Sequence, residues 1–330
     1  MTGTQRRVRF FGGLRRRVDV RARAKVNLGL EVLGRRADGY HELRSVMWAI
    51  ELADRVTLEA TGEDITLECA APDVPRTPDN LAWRAAELVR RETGMATGLR
   101  IRIEKRIPVA AGLGGGSTDA AAVLTAFGCL QSRRLGARRL EAMAVTLGMD
   151  VPFFLGRSPA LARGRGDELR PVGASADLSL VLANPGFPLA TREVYARLEA
   201  SDYGDGRRVD ALVTALRRGA EAVAASVTNG LERAAGRLWP GLPEVKAALL
   251  EAGCLAALMS GSGPTVFGIA PSHRAALRIR DALGARPWRL WVARTVTGPA
   301  LTVRRPGGPL RGRPSIRRRK AGTTWGVAKW

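Results

Sequence analysis

Length, composition and charge narrow the class of protein. The chain has 330 residues, of which 45% are hydrophobic and 25% are charged, as in ordinary soluble globular proteins. No apolar run approaches the roughly 18 residues that a membrane span needs. Residues 1–17 are basic and lack the apolar core of a secretory signal. We therefore expect a cytoplasmic protein, and the length favours two domains.

The two ends of the chain carry most of its formal net charge of +22. Residues 1–17 contain six arginines, residues 303–330 contain nine arginines or lysines, and neither segment contains an acidic residue. The body of the protein is therefore only mildly basic. This pattern predicts a basic N-terminal extension over residues 1–17 and a basic disordered tail over residues 304–330. A nonspecific, salt-dependent contact with a polyanion is the alternative.

Hydrophobic spacing predicts a mixed α+β protein. Strands are expected at residues 18–30 and within 55–68, and residues 79–94 open on a capping residue and stop at a glycine, which predicts a helix. A strand over residues 99–108 then leads through a glycine-rich loop into a helix that begins at Ser117 or Thr118. Further helices are expected at 137–147, 191–199, 210–217 and 242–252, and further strands at 178–183, 256–259, 265–269 and 288–295. A domain boundary is plausible near residues 169–177.

The stretch GLGGGSTDAAAVL, residues 112–124, lies between the predicted strand and helix. Glycines let a backbone approach a ligand closely, and the N–H groups and dipole of a helix N-terminus favour an anion. The stretch therefore predicts a phosphate-binding loop, with a flexible surface loop as the alternative. Ser117 stands both where a P-loop needs lysine and where a dinucleotide fingerprint needs its third glycine, so neither motif fits.

Polar residues in three other segments are candidates for the same site. Lys25 and Asn27 are two apart in a predicted strand, so their side chains project from the same side of the sheet. The segment SGSGPTVFGI, residues 260–269, predicts a second glycine turn between short strands. Asp150 lies between a predicted helix end and a Pro-Phe-Phe stretch, where a role as a cap or turn residue is the alternative to catalysis.

These segments together resemble the GHMP kinase superfamily. The resemblance rests on PVAAGLGGGS, residues 108–117, and on AKVNLGLEVLGRRADGYHELRSV, LGMDVPFFLG and MSGSGPTVF. The RADGYHEL block is most similar to the branch whose acceptor is a cytidine diphosphate ester in non-mevalonate isoprenoid biosynthesis. The resemblance spans residues 18–303 and implies a two-domain α+β fold. It implies an ATP-binding domain over 18–172, like the second domain of ribosomal protein S5, a C-terminal domain over 173–303, and an active site between them.

The resemblance implies ATP as co-substrate and Mg²⁺ as cofactor, with the Mg²⁺ ligands unknown. It also implies that the other partners are small molecules and that the protein binds neither a specific nucleic acid nor a membrane. The expected oligomeric state is a monomer or a homodimer. The implied ATP-binding residues are Asn80, Leu81, Lys105, Pro108, Val109, Ala110, Ala111, Gly112, Leu113, Gly114, Gly115, Gly116, Ser117 and Thr118.

The resemblance also implies how the acceptor binds. Tyr40 and Tyr195 would stack on its cytosine, and His41 would hydrogen-bond the edge of the base. Asn27 and Thr191 would lie near the rest of the molecule.

Two residues are implied to act on the reacting atoms. Asp150 would take the proton of the acceptor hydroxyl as a general base. Lys25 would hold the developing alkoxide and the phosphate by its charge.

Two alternative functions remain open. Within the same superfamily, the acceptor could be a mevalonate-like or homoserine-like molecule. From another class, the alternative is a basic nucleic-acid-binding protein.

Five positions depart from the family pattern. Arg23 stands where proline is usual, Thr118 where serine is usual, and Ala110 and Ala111 where glycine is common. The alanines narrow the backbone freedom of the loop. Gly230, in the segment TNGLE, stands where the family tends to have aspartate, and the sequence leaves its effect open.

Overall fold

The computed structural model describes residues 17–130, 135–175 and 177–304. Most of the two predicted basic extensions, residues 1–16 and 305–330, therefore lies outside the described residues. Arg17 and Arg304 were assigned to those extensions, but they are the first residue of the first strand and the last residue of the last strand.

The described residues alternate between long strands, short strands and helices. The strands are β1 (Arg17–Arg35), β2 (His41–Thr61), β3 (Ile65–Cys69), β4 (Gly98–Glu104), β5 (Arg157–Ser158), β6 (Ala160–Arg163), β7 (Glu168–Pro171), β8 (Ser179–Asn184), β9 (Thr228–Asn229), β10 (Ala256–Met259), β11 (Val266–Ala270), β12 (Arg289–Arg294), β13 (Gly298–Pro299) and β14 (Leu301–Arg304). The α-helices are α1 (Leu81–Thr93), α2 (Gly115–Leu130), α3 (Ala137–Leu147), α4 (Val151–Leu155), α5 (Thr191–Ala196), α6 (Arg207–Ala215), α7 (Ala220–Ala224), α8 (Glu232–Gly236), α9 (Leu242–Glu251) and α10 (His273–Ala282), with a 3₁₀ turn at Ala200–Asp202.

Two main sheets organise these elements. The larger has the order β14-β1-β2-β4-β3, with β6 and β7 extending from β2 and β9 pairing with β1. The smaller has the order β10-β11-β8-β12, and all of its neighbours are antiparallel. The last strand, β14, returns to the first sheet beside β1, so the two ends of the described chain meet. The division into domains at residues 172 and 173 stays a prediction.

The long first strand connects the hydrophobic cores. On its even-numbered face, Val20 packs with α1 and α2, Val26 packs with the smaller sheet, and Val32 packs with the helices behind that sheet. Register shifts after Arg23 and Asn27 mark irregularities that bend the strand. Its odd-numbered face is therefore free to carry polar groups toward a site.

The predicted helices at α1 and α2 are confirmed, but each begins at a different residue from the one predicted. The cap of α1 is Asn80 rather than Asp79, because its Oδ1 accepts a hydrogen bond from Ala82 N at 2.9 Å, and Gly94 ends the helix with φ +65°. Helix α2 begins at Gly115 rather than at Ser117. Glycine is a poor helix former, which is why the sequence pattern placed this start two residues too late.

Several elements were not predicted. The strand pattern was recognised only from residue 55, whereas β2 begins at His41. No prediction was made for the segments that form α4 and α10. The strand predicted to reach residue 108 ends at Glu104. Among the described residues, no helix is both long enough and apolar enough to cross a membrane.

Candidate active site

A cavity of about 520 Å³ opens beside the glycine-rich loop. The loop, the segment before α1, the middle of β1 and β2, the start of α5 and the turn between β10 and β11 form its walls. Most predicted site residues line it, namely Lys25, Asn27, Asn80, Leu81, Lys105, Pro108, Val109, Ala110, Ala111, Gly112, Gly114, Gly115, Gly116, Ser117, Asp150, Thr191 and Tyr195. The fold thus gathers distant sequence blocks around one volume.

Four predicted site residues do not line this cavity. Leu113 and Thr118 are buried beneath the loop. Tyr40 is about half exposed, at 48%, and contacts Arg165, which lines the cavity. His41 packs against Tyr195, with 5.1 Å between the ring centroids. It therefore contacts a residue that lines the cavity.

Two loop glycines hold backbone conformations that favour glycine. Gly112 has φ +72° and Gly114 has φ +70°, in the left-handed region. A Cβ on Gly112 would lie 2.1 Å from Ser260 O, and a Cβ on Gly114 would lie 2.8 Å from the ring of Phe154. The first glycine loop is thus packed directly on the second glycine turn.

A Gly112→Ala variant should be less stable than the wild type by about 2 kcal/mol, because it adds backbone strain and a clash with Ser260. Chemical denaturation of the ligand-free protein measures this difference. Gly128→Ala, in the interior of α2 with nothing within 4 Å of the added Cβ, is the control and should gain up to about 1 kcal/mol. Equal stability of Gly112→Ala and wild type would contradict the close packing of the two turns.

The alanine at position 110 has a structural consequence. Ala110 has φ +49°, a left-handed conformation that is uncommon for residues with a Cβ. A glycine at this position would adopt it without strain. Ala110 therefore holds a strained backbone conformation in this loop.

Lys25, Asn27 and Asp150 form a polar cluster at the floor of the cavity. Lys25 Nζ donates a hydrogen bond to Asn27 Oδ1 at 2.6 Å and lies 3.3 Å from Asp150 Oδ2. Asn27 Nδ2 donates to Ser45 Oγ at 2.9 Å. Lys25 is buried, whereas 39% of the Asp150 side chain is exposed. The predicted projection of Lys25 and Asn27 from one side of β1 is confirmed by this contact.

Asp150 does not act as a helix cap. It occupies the N-cap position of α4, but its side chain makes no capping hydrogen bond there. Its carboxylate instead points to Lys25. The capping alternative therefore does not explain this residue.

Lys105 lies between two buried carboxylates at the base of the loop. Its Nζ lies 2.6 Å from Asp54 Oδ2 and 3.0 Å from Asp119 Oδ2. Asp54 Oδ1 also accepts hydrogen bonds from the backbone N–H groups of Arg106 and Ile107, at 2.6 and 2.9 Å. This cluster ties β2, the loop and α2 together next to Gly115 and Gly116.

Burial and the neighbouring charges shift the pKa values of Asp119 and Lys105 in this cluster. Burial raises the pKa of Asp119 to about 7, against the opposing effect of Lys105. Burial also lowers the pKa of Lys105, but the charges of Asp119 and Asp54 outweigh it and leave that pKa raised. Asp119 Oδ1 is buried and has no hydrogen-bond partner in the described part of the chain.

The raised pKa of Asp119 predicts a pH-dependent stability. Between its unfolded pKa of about 4 and its folded value of about 7, the native state binds a proton that the unfolded chain releases. The stabilisation that this bound proton gives the native state is fully present below the unfolded pKa. It is lost as pH rises toward 7, so that the free energy of unfolding falls by at most about 1.4 kcal/mol per pH unit. Asp119→Asn should abolish this decline.

Denaturation of the nucleotide-free protein in EDTA between pH 5 and 8 measures this effect. Asp64→Asn, at an exposed position, serves as the matched control and should retain the wild-type pH dependence. Identical slopes for wild type and Asp119→Asn would contradict the prediction.

An aromatic group that includes Tyr195 adjoins the cavity. The His41 ring is near those of Tyr195 and Tyr203, with centroid distances of 5.1 and 6.3 Å. Burial, with a smaller effect of Arg35, lowers the pKa of His41, which favours the neutral imidazole. Burial raises the pKa of Tyr195, and Asp150 adds to this effect.

Sequence reasoning missed several residues of the site. Ser45 accepts from Asn27 and donates to Gly29 O at 2.7 Å, and Ser260 Oγ donates to Gly112 O at 3.0 Å. Asn229 Nδ2 lies 2.8 Å from both Met259 O and Gly261 O, which holds the second glycine turn in place. The segments containing Ser45, Ser260 and Asn229 were noted as motifs without a role for these residues, whereas nothing near Asp54 signals a role.

The structure leaves room for a side chain at Gly230. An added Cβ would find its nearest neighbours, Asp202 O and Leu30 O, at 3.5 and 3.6 Å, which is ordinary van der Waals contact. Its backbone N–H donates to Leu30 O at 2.8 Å, and any residue other than proline provides this bond. The departure at Gly230 therefore does not reflect a steric requirement for glycine.

Known proteins match this chain in sequence and in fold. The family model described as "GHMP kinases N terminal domain" matches residues 80–157, and "GHMP kinases C terminal" matches residues 210–289. The 4-diphosphocytidyl-2-C-methyl-D-erythritol kinase of Symbiobacterium thermophilum is 43% identical over 281 residues, which are 84% of this chain and 100% of that relative.

Solved structures agree with the sequence comparison. A crystal structure of 4-(cytidine 5'-diphospho)-2C-methyl-D-erythritol kinase superposes with a TM-score of 0.75 at 41% identity, covering 85% of this chain and 100% of that one. Homoserine kinase from Cytophaga hutchinsonii superposes with a TM-score of 0.71 at 21% identity, covering 89% and 99%. At that identity the second likeness shows the fold alone.

The fold and both matched domains define a kinase of the GHMP class. Homoserine kinase is only a distant neighbour. With more than 40% identity over the full length of the first relative, the chain belongs to the 4-diphosphocytidyl-2-C-methyl-D-erythritol kinase family.

Proposed function

We propose that the enzyme transfers the γ-phosphoryl group of ATP to the 2-hydroxyl of 4-diphosphocytidyl-2-C-methyl-D-erythritol. The products are the 2-phosphate and ADP, in non-mevalonate isoprenoid biosynthesis. The identity to relatives that carry this name supports the choice of acceptor. We place the reaction in the cytoplasm, in a monomer or homodimer.

The observation that carries the proposed chemistry is the contact between Lys25 and Asp150 beside the loop. Their 3.3 Å separation lets a hydroxyl bound at this point meet a proton acceptor and a positive charge together. As the proton moves to Asp150, Lys25 stabilises the alkoxide that attacks the phosphorus. Asn27 holds the Lys25 ammonium in position through the 2.6 Å hydrogen bond.

The loop supplies the electrostatic environment for the phosphates. Residues 108–117 form one wall of the cavity, except for the buried Leu113, and we propose that their backbone N–H groups face the β- and γ-phosphates. Such preorganised donors stabilise charge without reorganising during the reaction. Asn80, Leu81 and Lys105 line the same cavity, and we propose that the adenosine lies against them.

Mg²⁺ fits the chemistry of Asp119, which lines the cavity. Its Oδ1 is buried and lacks a partner among the described residues, and hard oxygen ligands suit this ion. We propose that Asp119 holds it together with the phosphates. When bound, the ion would neutralise part of the phosphate charge.

The aromatic group beside the cavity suits a pyrimidine base. We propose that the cytosine stacks on Tyr40 and Tyr195, because Tyr195 lines the cavity and Tyr40 contacts Arg165, which also lines it. His41 would hydrogen-bond the base, and its neutral form can either donate or accept. Thr191 Oγ1, 2.8 Å from Ser262 Oγ, would contact the remainder of the acceptor.

An acceptor panel tests the proposed function. The purified protein with ATP and Mg²⁺ should release ADP rapidly with the cytidine diphosphate ester and at background rate with mevalonate, homoserine or no acceptor. Product analysis should locate the new phosphate on the 2-hydroxyl. Faster phosphorylation of mevalonate or homoserine than of the ester would overturn the proposal.

A further inference from the structure

Three cationic side chains line the cavity in the part of the chain that the structure describes: Lys25, Lys105 and Arg165. Both lysines are almost fully buried and already lie against carboxylates. The Arg165 side chain is 30% exposed. An incoming anion therefore meets Arg165 as the accessible cation of this lining.

Arg165 lies in the short turn between β6 and β7. Gly164 and Gly166 flank it with φ +65° and +101°, so neither neighbour has a side chain that could cover the guanidinium. Leu43 N donates a hydrogen bond to Gly164 O at 2.7 Å, which anchors the turn to β2. The backbone thus holds Arg165 at the cavity wall.

Asp167 orients the guanidinium without using all of its donors. Arg165 Nη2 donates to Asp167 Oδ2 at 2.8 Å, and Arg165 N donates to Asp167 Oδ1 at 3.2 Å. Among the described residues, Arg165 Nε and Nη1 have no hydrogen-bond acceptor. Because a guanidinium has five N–H donors, donors remain for an oxyanion.

The ring of Tyr40 supports the same guanidinium. Arg165 Cζ lies 5.2 Å from the centroid of this ring, within the range of a cation–π contact. A contact with a ring face engages the flat surface of the guanidinium rather than its in-plane N–H groups. Tyr40 therefore positions Arg165 and leaves its remaining donors available.

We propose that Arg165 binds the diphosphate of the acceptor and thereby selects nucleoside diphosphate esters over acceptors without a diphosphate. This inference rests on the proposed function, because it takes the cytidine diphosphate ester as the acceptor. In that molecule the diphosphate joins the base to the reacting alcohol. Arg165 contacts Tyr40, on the proposed cytosine side, and lines the cavity that contains Lys25, and its planar fork matches phosphate oxygens.

The experiment compares Arg165→Gln with Arg163→Gln. Arg163 lies two residues earlier in the same hairpin, is exposed and does not line this cavity. At saturating ATP, the KM for the ester and the inhibition constants of CDP and cytidine, each competing with the ester, are measured for both variants and the wild type. Thermal melting verifies that each variant is folded.

Arg165→Gln should raise the KM for the ester by roughly 10- to 100-fold, the effect of losing charge-assisted hydrogen bonds, with a much smaller effect on kcat. The preference for CDP over cytidine should fall by a similar factor. Arg165→Lys should recover part of that preference, because it restores the charge without the fork, and Arg163→Gln should behave as wild type.

An unchanged preference for CDP over cytidine in Arg165→Gln would overturn the inference, as would an equal loss in Arg163→Gln. Failure of the proposed function gives a different result, since the wild type itself would then leave the ester unphosphorylated. A wild type that turns over the ester while Arg165→Gln keeps its KM would refute the role of Arg165 alone.

Discussion

Asp150→Asn should lower kcat by about 10²- to 10⁴-fold, the range expected when a general base is removed. Asparagine keeps the size of the side chain but cannot take up the hydroxyl proton. Affinity for ATP should change little, because Asp150 lies against Lys25 on the acceptor side of the reacting phosphate in the proposed arrangement. Loss of turnover with retained nucleotide binding therefore distinguishes a base from a residue that binds substrate.

Steady-state kinetics and calorimetric titration with ATP measure these two quantities separately. Asp64→Asn is the matched control, because Asp64 is exposed in the turn between β2 and β3. It should retain wild-type kcat and ATP affinity. Near-normal turnover by Asp150→Asn would exclude Asp150 as the base.

Lys25→Met should lower kcat by about 10²- to 10³-fold, as expected when one preorganised electrostatic contact is removed. Methionine retains much of the apolar stem, which packs closely enough that a Cβ on Gly114 would lie 3.2 Å from Lys25 Cγ. The variant also leaves Asn27 Oδ1 without the ammonium donor. The rate is therefore normalised to the folded fraction obtained from thermal melting.

The double variant Lys25→Met, Asp150→Asn tests whether the two residues act as a unit. Residues that serve one step lose rate non-additively, so the double variant should be little slower than the slower single variant. Each kcat is measured at saturating ATP and ester. A loss of kcat in the double variant equal to the product of the two single losses would contradict a joint role in proton transfer and alkoxide stabilisation.

Several parts of the site follow from local sequence rules. The alternation of β1 predicted that Lys25 and Asn27 share a side, and the structure joins them by a hydrogen bond. The glycine-rich segment between strand and helix predicted a loop, and its glycines lie on the cavity wall. These predictions succeed because residues near in sequence are related by backbone geometry alone.

Other features depend on contacts between distant segments. Asp54 and Asp119 meet on Lys105 only because β2, the loop and α2 pack together at one register. Gly112 is restricted by Ser260, which lies 148 residues later in the chain. Arg165 reaches Tyr40 because a backbone hydrogen bond fixes the turn after β6 to β2. No local pattern encodes these neighbours.

The sequence by itself determined the α+β class, the glycine-rich loop between strand and helix and, through its motifs, the kinase family. Glycine conformational freedom and strand periodicity are local properties, so they can be recognised without a structure. Only the tertiary structure decided that Asp150 faces Lys25 rather than caps α4, and that Lys105 lies between two carboxylates. Those pairings depend on strand register and helix packing, which bring together groups that the chain itself keeps far apart.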